Sequence, residues 1–304
     1  MKIRVLGSAA GGGFPQWNCN CANCDGVRNH SIKARARTQS SIVVGGAGLD
    51  WVLINASPDI LTQIKDNPVL QPARHARDSG IAAVVLMDAQ VDHVTGLLML
   101  RERNSPLPVY ATQQVFSDLK TGLPLVNTLS HYCTVSEQLI QPDSQSFGIP
   151  ALPNLAFTPI SLSSKAPPYS PHRHDPHPGD NIGLSITDTQ SGKTVFYAPG
   201  LGAIEPQVER AMQQADVLLV DGTFWTDDEM LRLGLSAKRA TDMGHLALSG
   251  PGGMIEVLKA YPTKRRILIH INNTNPILRE DSEQALELAQ CGIEVAFDGM
   301  HFEI

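Results

Sequence analysis

Four residues in one short stretch carry groups that can bind a metal ion. The segment VLMDAQVDHVTGLLML, from Val85 to Leu100, sets Asp88, Gln90, Asp92 and His93 between two apolar runs. The first run reads as a β-strand ending at Met87, and the second as a helix from Val94. A second cluster, CNCANC, holds Cys19, Cys21 and Cys24. Three thiolates at this spacing can converge on one tetrahedral ion from a single turn. Soft sulfur with no acid beside it suits a structural zinc. A fourth ligand must come from elsewhere, and spacing alone does not name it. Cys133 and Cys291 are isolated and read as core or surface fillers.

Histidines supply the third group of candidates. PHRHDPHPGDNIG carries His172, His174 and His177 just before a strand. DMGHLALSG carries His245 at a turn before a helix, and RILIHINNTNP carries His270 at the end of an apolar strand. A lone histidine is usually solvated or a satisfied core residue. His270 stands apart, because strand C-terminal ends in layered α/β folds face the ligand crevice. Asp92 and His93 also follow a strand end. The glycine-rich GSAAGGGFPQ lacks the Lys-Ser/Thr of a phosphate loop, and no GxGxxG opens a helix.

Elements with the right periodicity surround these residues. Strands are expected at 3–6, 41–44, 51–55, 82–87, 182–187, 194–198, 217–221, 267–270 and 294–297, all rich in Val, Ile and Leu. Helices are expected after Pro58, Val94, Thr112, Glu205, Pro251 and Asp281, with Pro251 in a first helical turn. Residues 141–180 are rich in Pro, Ser and His and read as one long surface loop, which in a compact domain is more often functional than idle. No repeat or composition shift marks a boundary. The expected architecture is one layered α/β domain over residues 1–304, two mixed β-sheets between outer helices, with a Cys-rich zinc-binding loop at about 12–30.

Composition narrows the function classes. The chain has 304 residues and a formal net charge of −6. That balance argues against nucleic acid as the main partner. No apolar run approaches the ~20 residues of a membrane span. The start, MKIRVLGSAAGGG, reads as a first strand rather than a signal peptide. Five cysteines, three of them bunched, do not suggest a disulfide framework, so a reducing, cytoplasmic location is expected.

DAQVDH resembles the H-x-H-x-D-H signature of the metallo-β-lactamase superfamily, in the same order of strand, signature loop and helix. LINASPDILTQI, VFYAPGL and ADVLLVDGTFW resemble further segments of that superfamily. CNCANC resembles the zinc-binding insertion of its cyclic phosphodiesterase branch. Over nearly the whole chain, GGGFPQWNCNCANC, DAQVDH, DMGHLALSG, HINNTNPIL and FDGM resemble the members that serve pyrroloquinoline quinone (PQQ) biosynthesis.

The resemblance implies a metallo-β-lactamase fold and an altered metal site. Asp88 and Gln90 stand where two signature histidines would, and Gly200 aligns with the bridging aspartate. The first metal position keeps only His177. The second keeps Asp92, His93 and His270, the one-carboxylate, two-imidazole set of non-haem Fe(II) oxygenases. Asp88 and His177 are then outer-sphere groups or optional ligands. Gln90 is a candidate to orient substrate or water, and His245 to transfer a proton. The loop 172–180 is a candidate cover, with Arg173 a candidate contact for an anionic substrate. In the phosphodiesterase branch a histidine three residues after the strand-end histidine closes the cysteine site. Here that position is Asn273, an amide-oxygen ligand, with His30 or water as alternatives.

Three functions follow from the resemblance. One is Fe(II)-dependent hydroxylation of the tyrosine ring in the cross-linked glutamate–tyrosine precursor of PQQ. A second is soluble carriage of PQQ or its precursor towards the periplasm. A third is metal-dependent hydrolysis, which Gln90 and Gly200 disfavour, because it needs a bridged metal pair. Contact with other proteins of the PQQ pathway is also implied.

Overall fold

The computed structural model describes residues 1–304 as two facing seven-stranded sheets with helices outside. The first sheet contains β1 (Lys2–Gly7), β2 (Ser41–Gly45), β3 (Trp51–Ile54), β4 (Ile81–Val85), β5 (Leu107–Ala111) and β6 (Val135–Leu139). The second contains β7 (Phe147–Gly148), β8 (Leu155–Ser161), β9 (Ile182–Asp188), β10 (Thr194–Ala198), β11 (Val217–Asp221), β12 (Arg265–Ile269) and β13 (Ile293–Val295). A last strand, β14 (His301–Glu303), returns to the first sheet beside β1.

Period-two alternation explains the layers. Ile42, Val44, Leu219, Ile267 and Ile269 fill the space between the sheets. Val43, Leu53 and Val84 face outward under one helical layer, and Leu218, Val220 and Leu268 under the other. Both faces are therefore covered, which is why these strands are almost continuously apolar. This is the expected fold, two mixed sheets between outer helices.

The parallel strands position the chemistry. β4 runs parallel to β3 and β5, while β11 runs parallel to β10 and β12. Asp88 follows β4, Asp221 ends β11 and His270 follows β12, so three chemical groups leave the sheets at strand C-terminal ends.

Several elements depart from expectation. Residues 141–180 are not one loop: β7 and β8 lie inside them, and the longest irregular stretch is 162–181. Pro159 obscures β8 in the sequence. It is tolerated because β7 pairs only with Ala156 and Phe157, leaving Pro159 on an edge. Past Val94 the chain forms a 3₁₀ helix, Thr95–Leu100, rather than an α-helix. Gly96 there packs so tightly that a Cβ would lie 2.0 Å from the Ser57 carbonyl oxygen. Pro251 precedes its helix, which starts at Met254 after Gly253. Strands β5, β6 and β14 and the short helix Ala22–Arg28 were not expected from pattern alone. No helix is long and apolar enough to cross a membrane.

Candidate metal centre

The turn after β4 builds one wall of a cavity of about 290 Å³ between the sheet ends. Asp88 is pinned by a bridge to Asn181, and its carboxylate accepts from the Gln90 amide at 2.8 Å. Both its oxygens lie 2.8 Å from Nδ1 of His93. The Nδ1–H of His93 is thereby used, and Nε2 points inward, buried and without a hydrogen-bond partner.

His270 presents the same face from the opposite sheet. Its backbone adopts φ 61°, which turns the chain out of β12 into the cavity. Its Nδ1 lies 2.9 Å from the Thr223 hydroxyl. That hydroxyl donates its one proton to Asp221 or to the His270 carbonyl, so its oxygen accepts Nδ1–H. The carboxylate of Asp92 closes the group, 3.7 Å from His93 Nε2 and 3.6 Å from His270 Nε2. An ion bonded at about 2.1 Å holds its donors about 3.0 Å apart at right angles and about 3.4 Å apart in a tetrahedron. Two oriented imidazole Nε2 atoms, that of His93 buried without a partner, and one carboxylate therefore fit a metal ion after a small contraction.

Charge in the cavity is finely balanced. Burial opposes the imidazolium of His93, but Asp88 and Asp92 outweigh it and push its pKa up to about 9. Burial also opposes ionisation of Asp92, yet His93 and His270 hold it well below the usual carboxylate range. Burial and the neighbouring imidazoles push His270 down.

His245 forms a second group on the cavity wall. Its Nδ1 lies 2.6 Å from Asp221 Oδ2, and its ring stacks on His270 with centroids 5.4 Å apart. Burial opposes its charge, but Asp221 wins and raises its pKa. Asp221 itself is saturated by Leu201 N, Thr223 and His245, so it orients groups rather than binding an ion. Gln90 also lines the cavity, and its side-chain amide has no protein partner. Lys165, Arg173 and Lys238 line it as well.

The cysteine cluster lies one loop away. Cys19, Cys21 and Cys24 place their sulfurs within 4.8 Å of one another around the start of the helix Ala22–Arg28. The terminal amide of Asn273 caps all three, with its nitrogen 3.1, 3.6 and 3.3 Å from the sulfurs. Amide nitrogen and oxygen exchange places by a simple flip, which would turn Oδ1 to a bound ion. Burial, with the adjoining thiols, drives Cys21 up to about 11. A shared cation would relieve that cost. His30 is exposed and stays outside the cluster.

Comparison with known proteins decides the family. The beta-lactamase superfamily domain matches residues 50–271. Coenzyme PQQ synthesis protein B of Methylobacillus flagellatus is 62% identical over 301 residues, covering 99% of each chain. That of Cupriavidus necator is 62% identical over 303 residues, covering 100% of this chain and 99% of its own. The chain belongs to the coenzyme PQQ synthesis protein B family. The crystal structure of Zn(2+)-bound PqqB from Methylobacterium extorquens superposes over the full length of both chains, with a TM-score of 0.91 and 37% identity. A diphosphatase of the PhnP family shares the fold, with a TM-score of 0.69 at 18% identity. Membership of the PQQ synthesis protein B family assigns the chain a role in making that cofactor.

The structure brings Asp92, His93 and His270 together, with Asp88, Gln90, Gly200 and His245 around them. His177 does not join them. It sits outside the cavity, its side chain 44% exposed, with its amide donating to Asp180 at 2.7 Å. Prolines at 171, 176 and 178 and that amide bond turn the loop away from the metal face. Asp221, Thr223, Lys165 and Lys238 were missed by sequence reasoning. Asp221 had a usable mark, an acid at the end of the apolar run ADVLLVD.

Proposed function

We propose that the chain is an Fe(II)-dependent oxygenase of PQQ synthesis, hydroxylating the tyrosine ring of the cross-linked glutamate–tyrosine precursor, with one atom of dioxygen entering the ring and the other leaving as water on two electrons and two protons from an external reductant. The observation that carries this reading is the face formed by Asp92, His93 and His270; the neighbouring Asp221 and His245, which group with the same His270, are bonded to each other at 2.6 Å, and Asp221 is already filled by backbone and Thr223 donors. Asp92, His93 and His270 hold the ion, while Asp88 and Thr223 fix the two rings by their other nitrogens. Bound there, Fe(II) supplies the activation of dioxygen, because three protein ligands leave positions for oxygen and substrate.

The remaining residues handle the substrate. Gln90 offers both a donor and an acceptor to the ring hydroxyl or to water. His245, oriented by Asp221, takes the phenolic proton on its free Nε2. Phe224, Met243 and Pro168 give the aromatic ring apolar contact. Lys165, Arg173 and Lys238 face the carboxylates of the precursor. The cysteine cluster with Asn273 holds a structural Zn(II). The free state of all five cysteines supports action in a reducing compartment, the cytoplasm.

Carriage of the finished cofactor is the second reading. It is favoured by Lys165 and Lys238, whose ammonium groups have no carboxylate partner and suit an acidic quinone. Anaerobic reconstitution with Fe(II), followed by oxygen uptake on adding the cross-linked dipeptide together with ascorbate as external reductant, separates the two. Substrate-dependent uptake supports the oxygenase. Tight, metal-independent binding of PQQ without uptake supports the carrier.

A further inference from the structure

We propose that His172, His177 and Asp180 form a further divalent-cation site, one that clasps the loop from which Arg173 reaches the cavity. Asp118 and Asp180 are both buried beneath this loop, and the only ion-pair partner of either is His172. Two buried carboxylates against one imidazole leave negative charge uncompensated, a costly arrangement in a protein interior.

The hydrogen bonds specify where positive charge is required. The Ser170 hydroxyl donates to Asp118 Oδ1 at 2.7 Å and lies 3.2 Å from His172 Nδ1. A hydroxyl has a single proton, so with that proton on Asp118 the Ser170 oxygen accepts Nδ1–H of His172. Nε2 of His172 then turns a lone pair towards Asp180 Oδ1, 2.8 Å away. Two lone pairs at this separation need a cation between or beside them. A second ring proton is one answer, and a metal ion is the other.

His177 favours the metal. Its ring lies 4.9 Å from that of His172, and ligand atoms of His172, His177 and Asp180 all fall within 4.8 Å of one another. Its backbone amide fixes the second oxygen of Asp180 at 2.7 Å. Asp175, 3.7 Å from His177 Nε2, is within reach as a fourth ligand. The chain Asp118–Ser170–His172 has the form of the outer-sphere partners that orient metal-binding imidazoles. Two imidazoles and a carboxylate suit Zn(II) or a similar borderline ion, whereas Mg(II) and Ca(II) prefer all-oxygen sets.

Its place in the chain supplies a purpose. Residues 172 and 180 are the two ends of the clasp, and Arg173 between them lines the catalytic cavity. An ion held here ties the loop down and fixes Arg173 at the cavity wall. The site shares no ligand with Asp92, His93 and His270 or with the cysteine cluster.

The test uses chelator-stripped, full-length protein titrated with Zn(II), beside limited trypsin cleavage after Arg173. His177→Gln replaces an exposed ring, and circular dichroism checks that the fold is kept. Wild type should bind one more Zn(II) per chain than His177→Gln. Zn(II) should slow cleavage after Arg173 several-fold in wild type and leave the variant unprotected. The same one-ion difference should persist in an Asp92→Ala background, which separates this site from the catalytic one. Equal stoichiometry and equal cleavage in wild type and variant would overturn the proposal and leave His172 as a hydrogen-bond partner of Asp180 only.

Discussion

Asp88 holds His93 by Nδ1 with both carboxylate oxygens, each 2.8 Å away. This contact sets the tautomer of His93 and aims the unpartnered Nε2 at Asp92 and His270. Replacing Asp88 by Asn removes the charge while keeping the shape. We expect Asp88→Asn to weaken Fe(II) binding about 10–100-fold, the usual loss of an outer-sphere partner. Anaerobic Fe(II) titration reads this directly, and unchanged affinity would remove Asp88 from the orienting role.

The raised pKa of His93 predicts how metal binding depends on pH. An unperturbed histidine titrates near about 6.5, and His93 in the metal-free protein is pushed up to about 9. At neutral pH it carries a proton that an incoming ion must displace. Asp92 is already ionised, and His270, pushed down, is already neutral. Affinity should therefore rise about tenfold per pH unit, with one proton released per ion, and level off above about pH 9. The stability of the metal-free fold runs the other way. The contribution of His93 is complete below about pH 6.5 and is lost as pH rises through about 9. Thermal melts of metal-free protein between these limits should show a falling Tm, and a flat profile would contradict the assignment.

His245 faces the cavity with Asp221 behind it, 2.6 Å away. If it moves the phenolic proton, His245→Gln should lower kcat by about 10²-fold or more. Fe(II) affinity should stay within a small factor of wild type, because His245 is no ligand. Steady-state kinetics and metal titration on one preparation give both readouts. A variant with normal kcat, or one that has lost iron, removes the proton-transfer role.

Cys21→Ser should release one zinc per chain and lower Tm, since binding at the cysteine cluster is linked to folding. Iron at Asp92, His93 and His270 should remain. Asn273→Ala should loosen zinc less than Cys21→Ser does, because three thiolates stay in place. Metal analysis by mass spectrometry after dialysis decides this. Loss of iron with zinc retained would mean that the two sites had been exchanged.

Much of the site was legible because its residues follow apolar strands. Asp92, His93 and His270 stand just beyond runs that can only be buried, so their chemistry is exposed at a sheet end. The same rule marks Asp221, but alignment to the superfamily sets the bridging aspartate at Gly200, one strand earlier, and hides it. His177 could not be placed, because a proline-rich loop has no period and its path depends on contacts such as the bond to Asp180. Pro159 hid β8 for a related reason, since edge position is a property of the sheet and not of the strand. Asn273 meets cysteines some 250 residues away in the chain, a contact that local pattern does not contain and only the family resemblance suggested.

We propose one iron, held by Asp92, His93 and His270, as the centre that hydroxylates the tyrosine ring. It is tested by turnover of the cross-linked dipeptide by iron-reconstituted protein with ascorbate as reductant under isotopically labelled dioxygen, with mass spectrometry of the product. Label should enter the ring in wild type and not in Asp92→Ala. Unlabelled, unchanged dipeptide recovered from fully iron-loaded wild type would contradict it.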